Sequence, residues 1–278
     1  MSEAPGPIEP TKTQTIAGLY TETFLPPSEP KGAVVVTHGY AEHCGRYREV
    51  AHVLVNACWA VLTYDVRGHG HSPGPRGFIE RFDIYLDDFT AMIAAGRALA
   101  PGKPLVLLGH SHGSLITLRA LAGAHPPAVT SALVSSPYLG LKLAVPGWKK
   151  TLARLASGIA PKLNQPSGLK SDQLTSDVQK QREHDADPLV FGTATTRWFT
   201  ESSAAQNYVY EHADRIDVPT TWLVGAADPI ADPAQSKRVA DRVKGATYHD
   251  LVGLKHEVFN ETERASVFAK LVAALPSA

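Results

Sequence analysis

The stretch Gly109-His110-Ser111-His112-Gly113 constrains the fold more than any other, because of what stands on either side of it. The apolar run Leu105-Val106-Leu107-Leu108 reads as a buried strand leading into it, and Ser114 to Ala124 reads as a helix leading out. A Gly-x-Ser-x-Gly pentapeptide alone is a weak signal. Set between a strand and a helix it describes a nucleophile elbow, a tight strained turn that raises the serine hydroxyl above a sheet. Glycines at 109 and 113 let strand and helix approach closely, since neither carries a Cβ.

A serine hydroxyl becomes a nucleophile only when a base takes its proton and a third group orients that base. With this elbow the acid and the histidine follow the serine in chain order. Thr220-Thr221-Trp222-Leu223-Val224 reads as a buried strand, and Gly225-Ala226-Ala227-Asp228-Pro229 as the loop at its carboxyl end. Asp228 is therefore the candidate acid. Asp232, four residues on, competes with it, and either aspartate could instead be a turn-former or the N-cap before Pro233. Among the 12 histidines, His256 is the candidate base. It lies in a loop after the strand-like Ala246–Leu251 and before a helical run from about 261 to 274. His249 falls inside that strand, and His112 would offer its backbone N–H to the reacting carbonyl rather than its ring.

An oxyanion needs two donors, and loss of one costs about a hundred- to a thousandfold in rate. The His112 backbone N–H supplies one. The β-branched run Ala33 to Thr37 ends in His38-Gly39-Tyr40, which points to the Tyr40 backbone N–H as the other.

The segments His38-Gly39-Tyr40-Ala41-Glu42-His43-Cys44-Gly45-Arg46-Tyr47, Asp65-Val66-Arg67-Gly68-His69-Gly70-His71-Ser72-Pro73-Gly74, the elbow, and His256-Glu257-Val258-Phe259-Asn260-Glu261 together resemble the monoacylglycerol lipase and lysophospholipase branch of the α/β-hydrolases. The resemblance runs over nearly the whole chain. It implies a serine esterase acting on single-chain acyl glycerides or related esters, with Ser111, Asp228 and His256 as a triad and a cap inserted over the site. It also implies that Glu42 and Arg46 bind head-group hydroxyls, although a loop clamp explains the two equally well. The family pattern has Met and Gly where this chain has His112 and Ser114, which keeps the backbone donor and would set a polar ring near the acyl pocket. A general short-chain carboxylesterase or an aminopeptidase on the same fold is the alternative, and a non-enzymatic binding protein a more distant one.

The remaining segments fit that frame. Residues 1–12 are Pro-rich and expected to be loose; strands at 13–25, 33–38, 60–64 and 128–135 alternate with helices at 47–57 and 82–100. Alternation of this kind implies an α/β fold, a mostly parallel sheet with helices on both faces. It stops at 137–215, the candidate cap, leaving 13–136 and 216–278 as the hydrolase core. Within the cap, Trp148, Leu152, Leu155 and Ile159 recur at helical spacing with Lys149, Lys150 and Arg154 on other faces. This stripe either packs on the body or makes transient contact with a membrane or micelle. Asp187 before Pro188 suggests a helix start, and Asp65 with Arg67 a paired turn.

The resemblance implies a small-molecule acyl ester as the partner, and composition is consistent with that. With 27 basic and 27 acidic residues the formal charge is +0, which argues against nucleic acid. Cys44 and Cys58, the two cysteines, offer no disulfide framework, and no Cys/His spacing suggests a metal or other cofactor. The first residues lack a signal-peptide pattern and no run is long enough to span a bilayer, so a cytoplasmic protein, at most peripheral to a membrane, is expected. The oligomeric state is not legible.

Overall fold

The computed structural model describes residues 4–142 and 157–277. An eight-stranded sheet runs in the order β1-β2-β4-β3-β5-β6-β9-β10, formed by Lys12–Ile16 (β1), Leu19–Phe24 (β2), Ala33–Thr37 (β3), Ala60–Tyr64 (β4), Leu105–His110 (β5), Ser131–Ser135 (β6), Thr220–Gly225 (β9) and Ala246–Leu251 (β10). All neighbours from β4 through β10 pair parallel, while β1 and β2 pair antiparallel with each other and β2 with β4. The sheet is thus mostly parallel, and its interior strands are apolar on both faces, as strands covered on both sides must be. Every residue of β3, β4 and β5 is buried.

Alternate residues of these strands feed two separate cores. Val35, Leu62, Leu107, Val134, Trp222 and Val224 face one side, where they pack with α2 (Asp83–Leu99), α3 (His112–Leu121) and, further along, Val239 of α7 (Pro233–Ala240). Val34, Val36, Val61, Val106, Leu108 and Leu223 face the other, with Leu54 of α1 (Arg48–Asn56) and Leu271 of α8 (Arg264–Ala273). The period-2 geometry of a strand makes this division automatic. Helix α3 starts two residues before the expected Ser114 because His112 and Gly113 already form its first turn. Strand β6 begins at Ser131, three residues later than expected, and residues 128–130 carry no strand.

Between β6 and β9 the chain leaves the sheet, and the two strands flanking the excursion pair directly with each other. The described part of the excursion contains the antiparallel pair β7 (Asn164–Pro166) and β8 (Thr193–Thr195), a short helix α4 (Ser171–Leu174), α5 (Val178–Ala186) and α6 (Thr196–His212). Helix α6 buries Trp198, Ala205 and Val209 in the same core as α2 and α3. Ion pairs anchor α5 to the body: Lys180 to Glu49 at 2.6 Å, and Arg264 to both Glu49 and Asp177 at 2.9 and 3.0 Å. Residues 4–10 carry no strand or helix, yet His52 donates to the Gly6 carbonyl at 2.7 Å and Arg48 pairs with Glu9 at 3.0 Å.

Candidate active site

Ser111 is the residue between the end of β5 and the start of α3, with φ 49° and ψ −112°. That left-handed φ is uncommon for a residue with a Cβ and needs its surroundings to hold it. Here the Ser111 N–H donates to the Ser135 carbonyl of β6 at 2.9 Å, and its own carbonyl accepts from Leu115 at 3.1 Å and Tyr138 at 3.0 Å. Glycine is required on both sides. A Cβ on Gly109 would stand 2.7 Å from backbone atoms of Gly113 and Ser114, and one on Gly113 would overlap the carbonyl oxygens of Thr37 and His38.

The loops after β9 and β10 meet closely, with the Ala226 and Ala227 N–H groups donating to Leu251 and Leu254 at 3.0 and 2.9 Å. This brings Asp228 to His256. One Asp228 oxygen accepts from the Ile230 and Ala231 N–H groups at 2.8 and 3.0 Å, and the other accepts from His256 Nδ1 at 2.7 Å. With both carboxylate oxygens engaged and the residue fully buried, the imidazole has one orientation available. Burial opposes a charged His256 ring, but the Asp228 carboxylate outweighs it and holds the pKa above the ordinary imidazole value. Asp232 takes the other role foreseen for it, capping α7 by accepting from Ala234 N–H at 3.0 Å.

The loop after β3 lies against the serine, so that a Cβ on Gly39 would stand 3.3 Å from Ser111 Cβ. Its Gly39 N–H is taken by Glu42 at 2.6 Å. Neither the Tyr40 nor the His112 backbone N–H has a partner among the described residues. His38 serves the loop itself, donating from Nδ1 to the Gly39 carbonyl and accepting the Val66 N–H at 2.9 Å.

Glu42 and Arg46 border the same cavity but are fastened to each other and to Glu257. Arg46 donates to Glu42 at 2.9 Å and makes two bonds of 2.7 Å to the Glu257 carboxylate, while Tyr47 donates to Glu42 at 2.8 Å. Burial disfavours both carboxylates, yet the guanidinium between them brings both pKa values below the ordinary range. Glu257 carried no assigned role in the sequence. Its part here depends on a pairing across 211 residues that no local pattern encodes.

Ser111, His256, Glu42 and Arg46 all line one cavity of about 740 Å³, whose apolar wall includes Tyr138 and Trp198. Those two rings stack with an interplanar angle of 11°. The His112 ring is not part of that wall. It is fully buried among Tyr40, Phe82, Tyr85 and Trp198, and burial holds its pKa down at about 3. The expectation of a polar ring beside the acyl pocket is corrected accordingly: a side chain on the first turn of α3 points back into the helix packing. Two further expectations change. Arg67 pairs with Asp88 of α2 at 2.7 Å, while Asp65 accepts from the Cys44 and His71 N–H groups at 2.8 and 2.6 Å. Asp187 ends α5 instead of starting a helix, accepting from Leu189 N–H and from His43 Nε2 at 2.7 Å. Of the amphipathic stripe, Trp148, Leu152 and Leu155 lie outside the described residues, and Ile159 is exposed.

The chain and its fold are similar to known proteins. The family model described as serine aminopeptidase, S33, matches residues 28–263. The chain is 30% identical to a monoacylglycerol lipase of Mycolicibacterium smegmatis over 88% of each chain. It is 29% identical to a phospholipase of Bacillus subtilis over 86% of this chain and 93% of that one. The crystal structure of the Paleococcus ferrophilus monoacylglycerol lipase superposes with a TM-score of 0.83 at 29% identity, covering 92% of this chain and 97% of that one.

Proposed function

The chain belongs to the serine aminopeptidase, S33, family of α/β-hydrolases, and from that premise we propose a serine esterase that cleaves monoacylglycerols or lysophospholipids through an acyl-enzyme on Ser111. Ester hydrolysis is what its named relatives share. The observation that carries the residue assignment is the 2.7 Å bond from His256 Nδ1 to a doubly engaged Asp228, opening on the cavity that Ser111 lines.

In this reading His256 Nε2 takes the Ser111 proton as Oγ attacks the ester carbonyl. The resulting oxyanion accepts the free N–H groups of Tyr40 and His112, and Asp228 stabilises the imidazolium. His256 then protonates the departing alcohol. Water, deprotonated by the same ring, releases the fatty acid and restores the serine. The apolar wall around Tyr138 and Trp198 takes the acyl chain. Glu42 and Arg46 hold the Gly39–Tyr40 turn in shape, and we assign them that task in preference to head-group binding because both Glu42 oxygens accept hydrogen bonds and both terminal nitrogens of Arg46 donate to carboxylates. The excursion at 137–215 is the cap over this cavity.

Labelling with a fluorophosphonate probe, followed by a hydrolysis panel with Ser111→Ala as the blank, tests the assignment. Monoacylglycerols, lysophospholipids, short p-nitrophenyl esters and aminoacyl amides form the panel. Cleavage of the first two above the rest, lost in Ser111→Ala, is the expected result; amides cleaved fastest would overturn it.

A further inference from the structure

The tyrosine whose backbone N–H is assigned to the oxyanion reaches across to the excursion with its side chain. Tyr40 Oη donates to the carbonyl of Thr193, in β8, at 2.6 Å. The next residue makes a second link, the Ala41 carbonyl accepting from Phe191 N–H at 3.2 Å. Between these bonds the Tyr40 ring lies 3.8 Å, centroid to centroid, from Trp198 of α6 and 5.5 Å from Phe191. The junction is tight. Gly77, whose carbonyl accepts from the Thr195 N–H at 3.0 Å and from its hydroxyl at 2.7 Å, leaves no room there for a side chain: a Cβ on it would stand 2.5 Å from Tyr40 Oη and 2.9 Å from the Thr193 oxygen.

These bonds act on a strained turn. Ala41 sits at φ 66°, a left-handed value that a residue with a Cβ keeps only where its surroundings hold it. The peptide unit joining Gly39 to Tyr40 is planar, so its N–H points away from its carbonyl. That carbonyl accepts from His38 Nδ1 at 2.7 Å, and the preceding N–H, that of Gly39, is taken by Glu42 at 2.6 Å. The body of the protein thus fixes the entry to the turn. The Tyr40 side chain and the Ala41 carbonyl are fixed by the excursion.

We infer that the Tyr40 hydroxyl is a positioning group: its bond to Thr193 transmits the seating of segment 191–195 to the Tyr40 backbone N–H, so the oxyanion is fully stabilised only while that segment is in place. A molecule with the segment lifted keeps the Asp228–His256 pair and loses the aim of one donor. Turnover is in this way tied to a closed cavity. The inference rests on the oxyanion role given to the Tyr40 N–H above.

Tyr40→Phe tests this, because it keeps the ring against Trp198 and Phe191 and removes only the hydroxyl. Misaiming one of two donors is expected to lower kcat on a monoacylglycerol about tenfold with KM unchanged, less than the loss that follows complete removal of a donor. A trifluoromethyl ketone bearing the same acyl chain, whose adduct with Ser111 Oγ carries an oxyanion, should bind about tenfold more weakly, while the fatty acid product inhibits as before. The acidic limb of the pH profile should stay in place, since the His256–Asp228 bond is untouched. Lys180→Met is the comparison: it removes an ion pair that anchors the excursion through α5 instead of through 191–195, and should lower the melting temperature with kcat unchanged. Equal kcat and ketone affinity in Tyr40→Phe and wild type would overturn the inference, whatever the melting temperature does. An equal loss of kcat in Lys180→Met would overturn it too, because general loosening of the excursion would then be the cause. Fluorophosphonate labelling separates this inference from the reading beneath it. A wild type that labels and hydrolyses esters beside an unaffected Tyr40→Phe sinks the positioning role alone, whereas a wild type that neither labels nor hydrolyses any ester removes the esterase reading and this role with it.

Discussion

Asp228 accepts the Nδ1–H of His256 at 2.7 Å while its second oxygen is held by the Ile230 and Ala231 N–H groups. Asp228→Asn keeps the size of the side chain but removes the charge and permits the wrong ring tautomer. A fall in kcat of about four orders of magnitude is expected. Asp232→Ala, measured beside it, should cost about 1 kcal/mol of stability through loss of the α7 cap and leave kcat unchanged.

The pH profile follows from the same pair. His256 must be neutral to act as a base, and its pKa stands above the ordinary imidazole value. The acidic limb of kcat/KM is therefore expected above pH 6.5, with activity rising as pH rises through it. A limb below that value in a steady-state titration would contradict the charge assigned to Asp228.

Acid stability should respond to His110 and His112, whose pKa values burial lowers to about 4 and about 3. Both are neutral when folded and gain protons more readily when unfolded. Their contribution is fully present above pH 6.5 and is lost as pH falls from there toward 4. Denaturant titrations over that range should show stability declining, and His112→Met should make the decline shallower.

Arg46→Met would leave Glu42 and Glu257 buried without a counter-charge. Breaking a buried pair this way costs about 3–5 kcal/mol. Chemical denaturation of the variant reads that loss directly, and Arg46→Lys is expected to recover only part of it because an ammonium cannot reproduce the two parallel bonds to Glu257.

Gly113→Ala would press a methyl group onto the carbonyl oxygens of Thr37 and His38. Backbone atoms of a central strand cannot give way cheaply, so destabilisation of about 1–3 kcal/mol is expected, with a lower melting temperature as the readout.

Much of this was legible in the sequence because the signals are local. The strand from Ala60 to Tyr64, the strand from Ala246 to Leu251 and the turn at Ser111 each depend on a few adjacent residues and appear where expected. Asp228 and His256 could be named as candidates because both follow a strand at the same sheet edge. What escaped was long-range pairing: Arg67 with Asp88, Arg46 with Glu257, His43 with Asp187. Charge complementarity alone allows many partners for each of these groups, and packing selects one. The His112 ring was misplaced for a related reason, since a helix's first turn faces whichever helix lies across it, here α6.

The position of β10 has a further consequence. Among the described residues it pairs with β9 alone and forms one border of the sheet, whereas the serine and the Gly39–Tyr40 turn belong to strands enclosed on both sides. Native-state hydrogen exchange should accordingly find the lowest opening free energy of the two halves around His256. In the proposed mechanism a molecule that frays at that border loses its proton acceptor while Ser111 stays enclosed, so partial opening yields an inert protein instead of one with an indiscriminate nucleophile.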